Sequence, residues 1–99
     1  MIHLTPVQQQ GLAALARLER ETGVRRFFPV AMIRDRRIVA MGKNDPSDVY
    51  LRTTASALER VAEIVPSLLD HSNHGYRLTH AGRVVAETQL GVRRDNAKP

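Results

Sequence analysis

Cysteine and tryptophan are absent from the 99 residues, and only four side chains are phenylalanine or tyrosine. Without cysteine the chain forms no disulfide and no thiolate metal site. With so few aromatic rings, the core has to be built from Leu, Val, Ile, Ala and Met, which favours helices with a small sheet. A chain of this length fits one domain with a single core.

Long apolar runs are also missing. No stretch approaches the roughly 20 apolar residues that a membrane-spanning helix requires. The N-terminal sequence lacks the basic region followed by an apolar run that is typical of signal peptides. We therefore expect a cytoplasmic protein without membrane association.

Lysine is scarce, since Lys43 and Lys98 are the only two, and the net charge of +5 comes almost entirely from arginine. Such a basic chain suits a polyanionic partner. Between Val24 and Lys43 lie six basic residues and one acidic residue, whereas the rest of the chain carries nine of each sign. The net charge of the whole chain is therefore equal to the net charge of the segment from Val24 to Lys43.

The first helix is predicted from Pro6 to Thr22. Thr5 is a good N-cap, proline suits the first helical position, and Gln8 has the spacing that closes a capping box. Gly23 supplies a C-terminal stop.

The basic segment contains two apolar runs around the tetrapeptide Arg34-Asp35-Arg36-Arg37. Its β-branched and aromatic residues favour a β-hairpin between Phe27 and Val39, with the arginines at the tip. A helix from Pro29 to the residue before Gly42 is the alternative. Phe27, Phe28 and the apolar edge of this hairpin would offer a surface for a homodimer.

A loop rich in turn-forming residues follows, and then a short strand from Val49 to Arg52. The second confident helix is expected to begin at Thr53 or Thr54 and to end at Pro66. Its predicted buried side consists of Ala57, Leu58, Val61, Ile64 and Val65.

The last third is predicted to form a second hairpin and a closing helix. The apolar piece 67–69, a polar tip from Asp70 to Gly75, and the strand 76–78 make the hairpin. Thr79 caps the final helix, whose inward residues are Ala81, Val84 and Val85. We assign residues 1–91 to the domain and residues 92–99 to a basic, flexible tail, in which Arg93, Arg94 and Lys98 are suited to contacting phosphates.

The predicted class is therefore α+β, in the order helix, β-hairpin, short strand, helix, β-hairpin, helix. From about Thr53 to Glu87 the chain resembles prokaryotic winged-helix DNA-binding domains. The resemblance rests on Tyr76-Arg77-Leu78-Thr79 followed by Gly82. It implies that the second hairpin is a β-wing and that the preceding helix enters a DNA groove. The first hairpin departs from the family, which has a short helix at that place.

We accordingly expect a nucleic-acid-binding protein, a small transcriptional regulator that grips DNA as a dimer through the arginine-rich hairpin and the wing. The expected contact residues are Arg34, Arg36, Arg37, Arg52, Thr53, Ser56, Arg60, His74 and Arg77. Glu59 and Glu63 share the exposed arc of the second helix and are repelled by phosphates.

These acidic residues motivate an alternative, a protein-interaction module such as an inhibitor or toxin-like adaptor that binds an acidic protein surface. An enzyme is not expected, because no serine lies in a nucleophile motif and Asp70 near His71 has no third partner. No cofactor is expected, and His71, His74 and His80 lack the carboxylate that would complete a metal site.

Overall fold

Four helices and one antiparallel β-hairpin follow one another along the chain. The computed structural model describes residues 3–43, 48–64 and 67–92. The elements are α1 (Pro6–Thr22), α2 (Val30–Ala40), α3 (Asp48–Ala62), β1 (Leu69–Ser72), β2 (Gly75–Leu78) and α4 (His80–Thr88). The predicted α+β class is confirmed at this level. None of the described helices is long and apolar enough to cross a membrane.

Helix α1 has the predicted bounds. The Thr5 hydroxyl accepts from the Gln8 backbone N–H at 3.2 Å, and the Gln8 side chain accepts from the Thr5 N–H at 3.0 Å, which completes the capping box. Gly23 ends the helix with a left-handed backbone, φ 69°. Leu12 and Leu15 are fully buried at its centre, because α1 contacts all three other helices.

The first predicted hairpin is wrong, and the alternative helix is confirmed as α2. Pro29 has an extended backbone and lies at the N-cap, where a missing N–H costs nothing. The reason for the error is the treatment of arginine as a purely polar residue. Ile33, Arg37 and Ile38 are buried, and with the half-buried Val30 and Arg34 they form the i, i+3, i+4, i+7, i+8 stripe of a helix.

This correction also means that the hairpin edge, on which a dimer surface was expected, is not formed. Phe28 is fully buried, and its backbone exchanges two hydrogen bonds with Tyr76, at 2.8 and 3.0 Å. It therefore forms an isolated antiparallel bridge to Tyr76 of β2, in addition to the pairing of β2 with β1.

The predicted strand at Val49–Arg52 is wrong as well, because α3 begins at Asp48 and continues through this segment. Val49 and Tyr50 favour strands in isolation, but tertiary packing overrides such preferences. Thr54, predicted at the start of the helix, is fully buried in mid-helix and extends the stripe of Ala57, Leu58 and Val61. Ile64 is half-buried just beyond the end of α3, whereas Val65 and Pro66 lie outside the described residues.

The second hairpin is confirmed, although its strands reach further into the predicted polar tip. Leu69 pairs with Leu78 and Ser72 pairs with Gly75. Gly75 has φ +123°, and a Cβ there would lie 1.9 Å from the carbonyl oxygen of Phe28. Glycine is needed because the backbone of Phe28 approaches β2 at this point.

Helix α4 starts after Thr79, whose hydroxyl accepts from the Gly82 N–H at 3.1 Å. Of the residues predicted to face inward, Val85 is buried and Ala81 packs against the core, whereas Val84 is 42% exposed. Val92, expected in the flexible tail, is buried in the core. Residues 93–99, with Arg93, Arg94 and Lys98, lie outside the described part.

Candidate nucleic-acid interface

Four of the predicted contact residues lie on the exposed face of α3, namely Arg52, Thr53, Ser56 and Arg60. They share this face because Thr54, Ala57, Leu58 and Val61 bury the opposite one. Helix α3 packs against α1, α2 and β1. The same helix also exposes Asp48 and Glu59, and Glu63 is exposed just beyond its end, which makes the face mixed in charge.

Arg37 does not lie at an exposed tip. Its residue exposure is 5%, and its guanidinium is held by three side-chain oxygens. Nε donates to Gln10 at 2.8 Å, while Nη1 donates to Thr53 at 2.9 Å and to Thr54 at 3.2 Å. Arg37 therefore joins α1, α2 and α3, which makes it a support for α3.

The surroundings of Arg37 are neutral. Burial lowers the pKa of its guanidinium, and Tyr50, whose ring centroid is 5.7 Å away, opposes this with a smaller effect. Arginine nevertheless remains charged at neutral pH. The charge of Arg37 is thus stabilised by hydroxyl and amide oxygens. Of its three partners, Thr53 is the one that lies on the exposed face of α3.

The other two arginines of the predicted tip are engaged in ion pairs. Arg34 pairs with the adjacent Asp35 at 2.9 Å, and Arg36 pairs with Glu21 at the end of α1. The structure therefore spreads the predicted cluster of Arg34, Arg36 and Arg37 over different sides of α2, and it neutralises part of its charge.

The hairpin carries the two remaining predicted contacts. His74 is exposed at the turn. Arg77 lies on β2, forms an ion pair with Asp70 across the ladder at 3.0 Å, and has its guanidinium 4.5 Å from the ring centroid of Phe27. Both partners of the ion pair are about half-exposed, so this pair is weak and exchangeable.

The inner face of the hairpin packs towards α3. The ring of His71 stacks on that of Tyr76, with a centroid distance of 4.4 Å. Burial raises the pKa of Tyr76, with a smaller contribution from the negative charge of Glu59 on α3. Among the described residues, no three histidine, aspartate or glutamate side chains come together as a metal site.

Two features of the structure were not predicted from the sequence. Arg83 on α4 forms a two-pronged contact with Glu19 on α1, at 2.6 and 3.0 Å, although a pair 64 residues apart leaves no local signal. A surface cleft of about 370 Å³ was also missed; its lining residues are Arg25, Asp70, Arg77, Leu78, Thr79, His80 and Arg83.

The chain was compared with protein-family models, with curated proteins and with solved structures, and none of the three comparisons found a match.

Proposed function

We propose that the chain is a small winged-helix protein that binds duplex DNA and acts as a prokaryotic or phage transcriptional regulator in the cytoplasm. In this proposal α3 enters a groove and the β1–β2 hairpin is the wing. Arg52, Thr53 and Ser56 contact DNA from the exposed face of α3, and His74 contacts the DNA backbone from the turn of the wing.

The observation that carries the proposal is the order of elements around α3. Helix α2 occupies the place where winged-helix domains have the helix that packs against the groove-binding helix, and a two-stranded hairpin and a fourth helix follow. The isolated bridge between Phe28 and Tyr76 adds one further backbone pairing to β2. Because α2 is a helix, the departure from the family that the sequence suggested no longer counts against the proposal.

The charges on α3 shape the expected binding mode. Arg52 and Arg60 are attracted to phosphates, whereas Asp48, Glu59 and Glu63 are repelled. Asp48 lies in the first turn and Glu59 lies towards the end of the helix, so Arg52, Thr53 and Ser56 form a stretch of the exposed face without an acid. We infer that the helix contacts DNA through this stretch, and that the affinity depends less on salt than the net charge suggests.

Fluorescence anisotropy with a labelled mixed-sequence duplex tests the proposal. We expect binding at 50 mM salt that weakens at 200 mM salt, and a loss of about tenfold in Arg52→Ala, since a phosphate or base contact by arginine is worth about 1–3 kcal/mol. Arg17→Ala removes the same charge from α1 and is the matched control, for which we expect less than a twofold loss. An equal loss in both variants would contradict a specific role for α3, and the absence of any binding would contradict the proposal itself.

A second candidate is a protein-interaction module, an inhibitor or toxin-like adaptor. The exposed acids Asp48 and Glu59 of α3, with Glu63 just beyond its end, favour it because they weaken contacts with nucleic acid. The net charge of +5 favours an acidic protein surface as partner. Affinity purification from the source cells, with and without nuclease, separates the two functions. A stoichiometric protein that survives nuclease treatment supports the module, whereas recovery of DNA fragments alone supports the regulator.

A further inference from the structure

A cationic cleft lies between the segment joining α1 to α2, strand β2 and the start of α4. Its lining includes three arginines, Arg25, Arg77 and Arg83, together with His80 and one acid, Asp70. It shares only Arg77 with the contact residues predicted from the sequence, and it lies on different elements from the exposed face of α3.

The three arginines are not equally available. Arg83 is neutralised by the two-pronged contact with Glu19, in which both side chains are less than one-fifth exposed. Arg77 is paired with Asp70, but that pair is about half-exposed. Arg25 is exposed and forms no ion pair with any described residue. The charge available to a ligand therefore comes first from Arg25 and then from Arg77.

Backbone pairing holds these two arginines at the same cleft. The hydrogen bonds between Phe28 and Tyr76 attach the α1–α2 segment to β2 in a fixed register. Phe27, beside Phe28, then lies under the guanidinium of Arg77 at 4.5 Å. Stacking on a ring limits the orientations of a guanidinium, so Arg77 is partly ordered before a ligand arrives.

We propose that this cleft binds a phosphate-type anion, with Arg25 and Arg77 as its ligands. The anion takes the place of the Asp70 carboxylate on Arg77, and Arg25 supplies the charge that has no partner in the described structure. The N-terminus of α4, where His80 lies, adds favourable polarity without carrying the site alone. The anion is either a backbone phosphate of nucleic acid or the phosphate of a free small molecule, and the inference does not depend on α3 contacting DNA.

Nuclear magnetic resonance titration of the full chain with inorganic phosphate, at ionic strength held constant with chloride, is the primary test. We expect saturable shifts of the Arg25 and Arg77 side-chain Nε–H signals and of the backbone amides of Thr79 and His80. Arg25→Ala should weaken phosphate binding by about tenfold, as expected for the loss of a charge-assisted hydrogen bond, whereas Arg17→Ala should have little effect. Linear shifts spread over all arginines would overturn the proposal.

The acid in the cleft gives an independent variant. Asp70→Asn frees Arg77 and removes a repulsive charge, so we expect phosphate to bind several-fold more tightly. Asp35→Asn is the matched control, because it breaks the ion pair of Arg34 on α2, and it should leave phosphate binding unchanged. Equal tightening in both variants would show that only net charge matters and would overturn the site.

Anisotropy with labelled duplex identifies the source of the phosphate. If Arg25→Ala weakens both phosphate and DNA binding, the cleft takes a backbone phosphate. If it weakens phosphate binding and leaves DNA binding unchanged, the cleft takes a free phosphorylated molecule. Either outcome supports the site. If Arg25→Ala weakens neither phosphate binding nor DNA binding, the site is overturned. Failure of α3 as the DNA-binding helix would be seen separately, as unchanged DNA affinity in Arg52→Ala.

Discussion

Arg37 and Thr54 form a buried contact between two neighbouring helices. Nη1 of Arg37 on α2 lies 3.2 Å from the hydroxyl oxygen of Thr54 on α3, and that hydroxyl in turn donates to the carbonyl oxygen of Tyr50 at 2.6 Å. The guanidinium of Arg37 therefore links α2 to α3 in the buried part of their contact, and the energy of this link is open to direct measurement.

Thr54→Val should lower the free energy of unfolding by about 1–2 kcal/mol, because it removes an acceptor from a buried charged group. Thr53→Val is the matched control. Thr53 accepts from the same nitrogen at 2.9 Å but is exposed, so water can replace its hydroxyl and the loss should stay below about 0.5 kcal/mol. Urea unfolding followed by circular dichroism gives both values, and equal losses would contradict the buried role of Thr54.

A double-mutant cycle that combines Thr54→Val with Arg37→Met measures the contribution of the Arg37–Thr54 contact. We expect a coupling free energy of about 1 kcal/mol between the two substitutions, since the residues are in direct contact. Additive effects, within the error of the measurement, would show that the Arg37–Thr54 contact itself adds nothing to stability.

Glu19→Ala should destabilise the domain by about 2–3 kcal/mol, because it leaves Arg83 without its partner in a site that is mostly shielded from water. The comparison is Asp70→Ala, which breaks the half-exposed pair with Arg77 and should cost less than about 1 kcal/mol. Thermal and urea unfolding measure both. A similar cost for the two variants would mean that the α1–α4 contact adds little beyond a surface pair.

Gly82→Ala should lower stability by about 1–3 kcal/mol or more, since its Cβ would lie 2.1 Å from the Leu68 carbonyl oxygen. That oxygen also accepts from the Thr79 N–H at 3.1 Å, so it has little freedom to move. Gly11→Ala in α1 is the control. Its Cβ would meet only the Leu58 side chain at 3.4 Å, and the gain in helix propensity of about 0.5–1 kcal/mol should make it neutral or stabilising.

Alkaline pH should destabilise the domain through Tyr76. Its pKa in the folded state is raised above the ordinary 10.0, so the contribution of Tyr76 is fully present below pH 10 and is lost as the pH rises through the folded-state pKa. We expect the unfolding free energy of the wild type to fall more steeply above pH 10 than that of Tyr76→Phe. Absorbance at 295 nm in Tyr50→Phe, where Tyr76 is the sole tyrosine, should titrate with a midpoint above 10.0; a midpoint below this would contradict the assignment.

The fold was predictable where residues close together in the sequence determine the local structure. Thr5 and Gln8 cap α1 within one turn, Gly23 ends it, and Thr79 caps α4. The hairpin before Thr79 was predicted from its apolar and turn residues. Gly82 formed part of the resemblance on which the wing was predicted, but the close approach to Leu68 that requires it became visible only in the folded chain.

The candidate site was predictable only in part. The exposed positions of α3 follow from helical periodicity, and this held for Arg52, Thr53, Ser56 and Arg60 even though the start of the helix was misplaced. Arg25 was missed because nothing near it in the sequence distinguishes it from the other arginines of the basic segment. Its position at the cleft depends on the pairing of Phe28 with Tyr76, residues that are far apart along the chain.

By itself the sequence determined the two capped helices, the hairpin and the basic segment, because capping, turn formation and charge act over a few residues. The tertiary structure decided that the part Val30–Ala40 of this segment is a helix and that Arg37 is buried. Sequence periodicity treats arginine as polar, but its long stem lies along the core and its guanidinium finds three oxygens on α1 and α3. Those oxygens come from distant parts of the chain, so only folding brings them within reach.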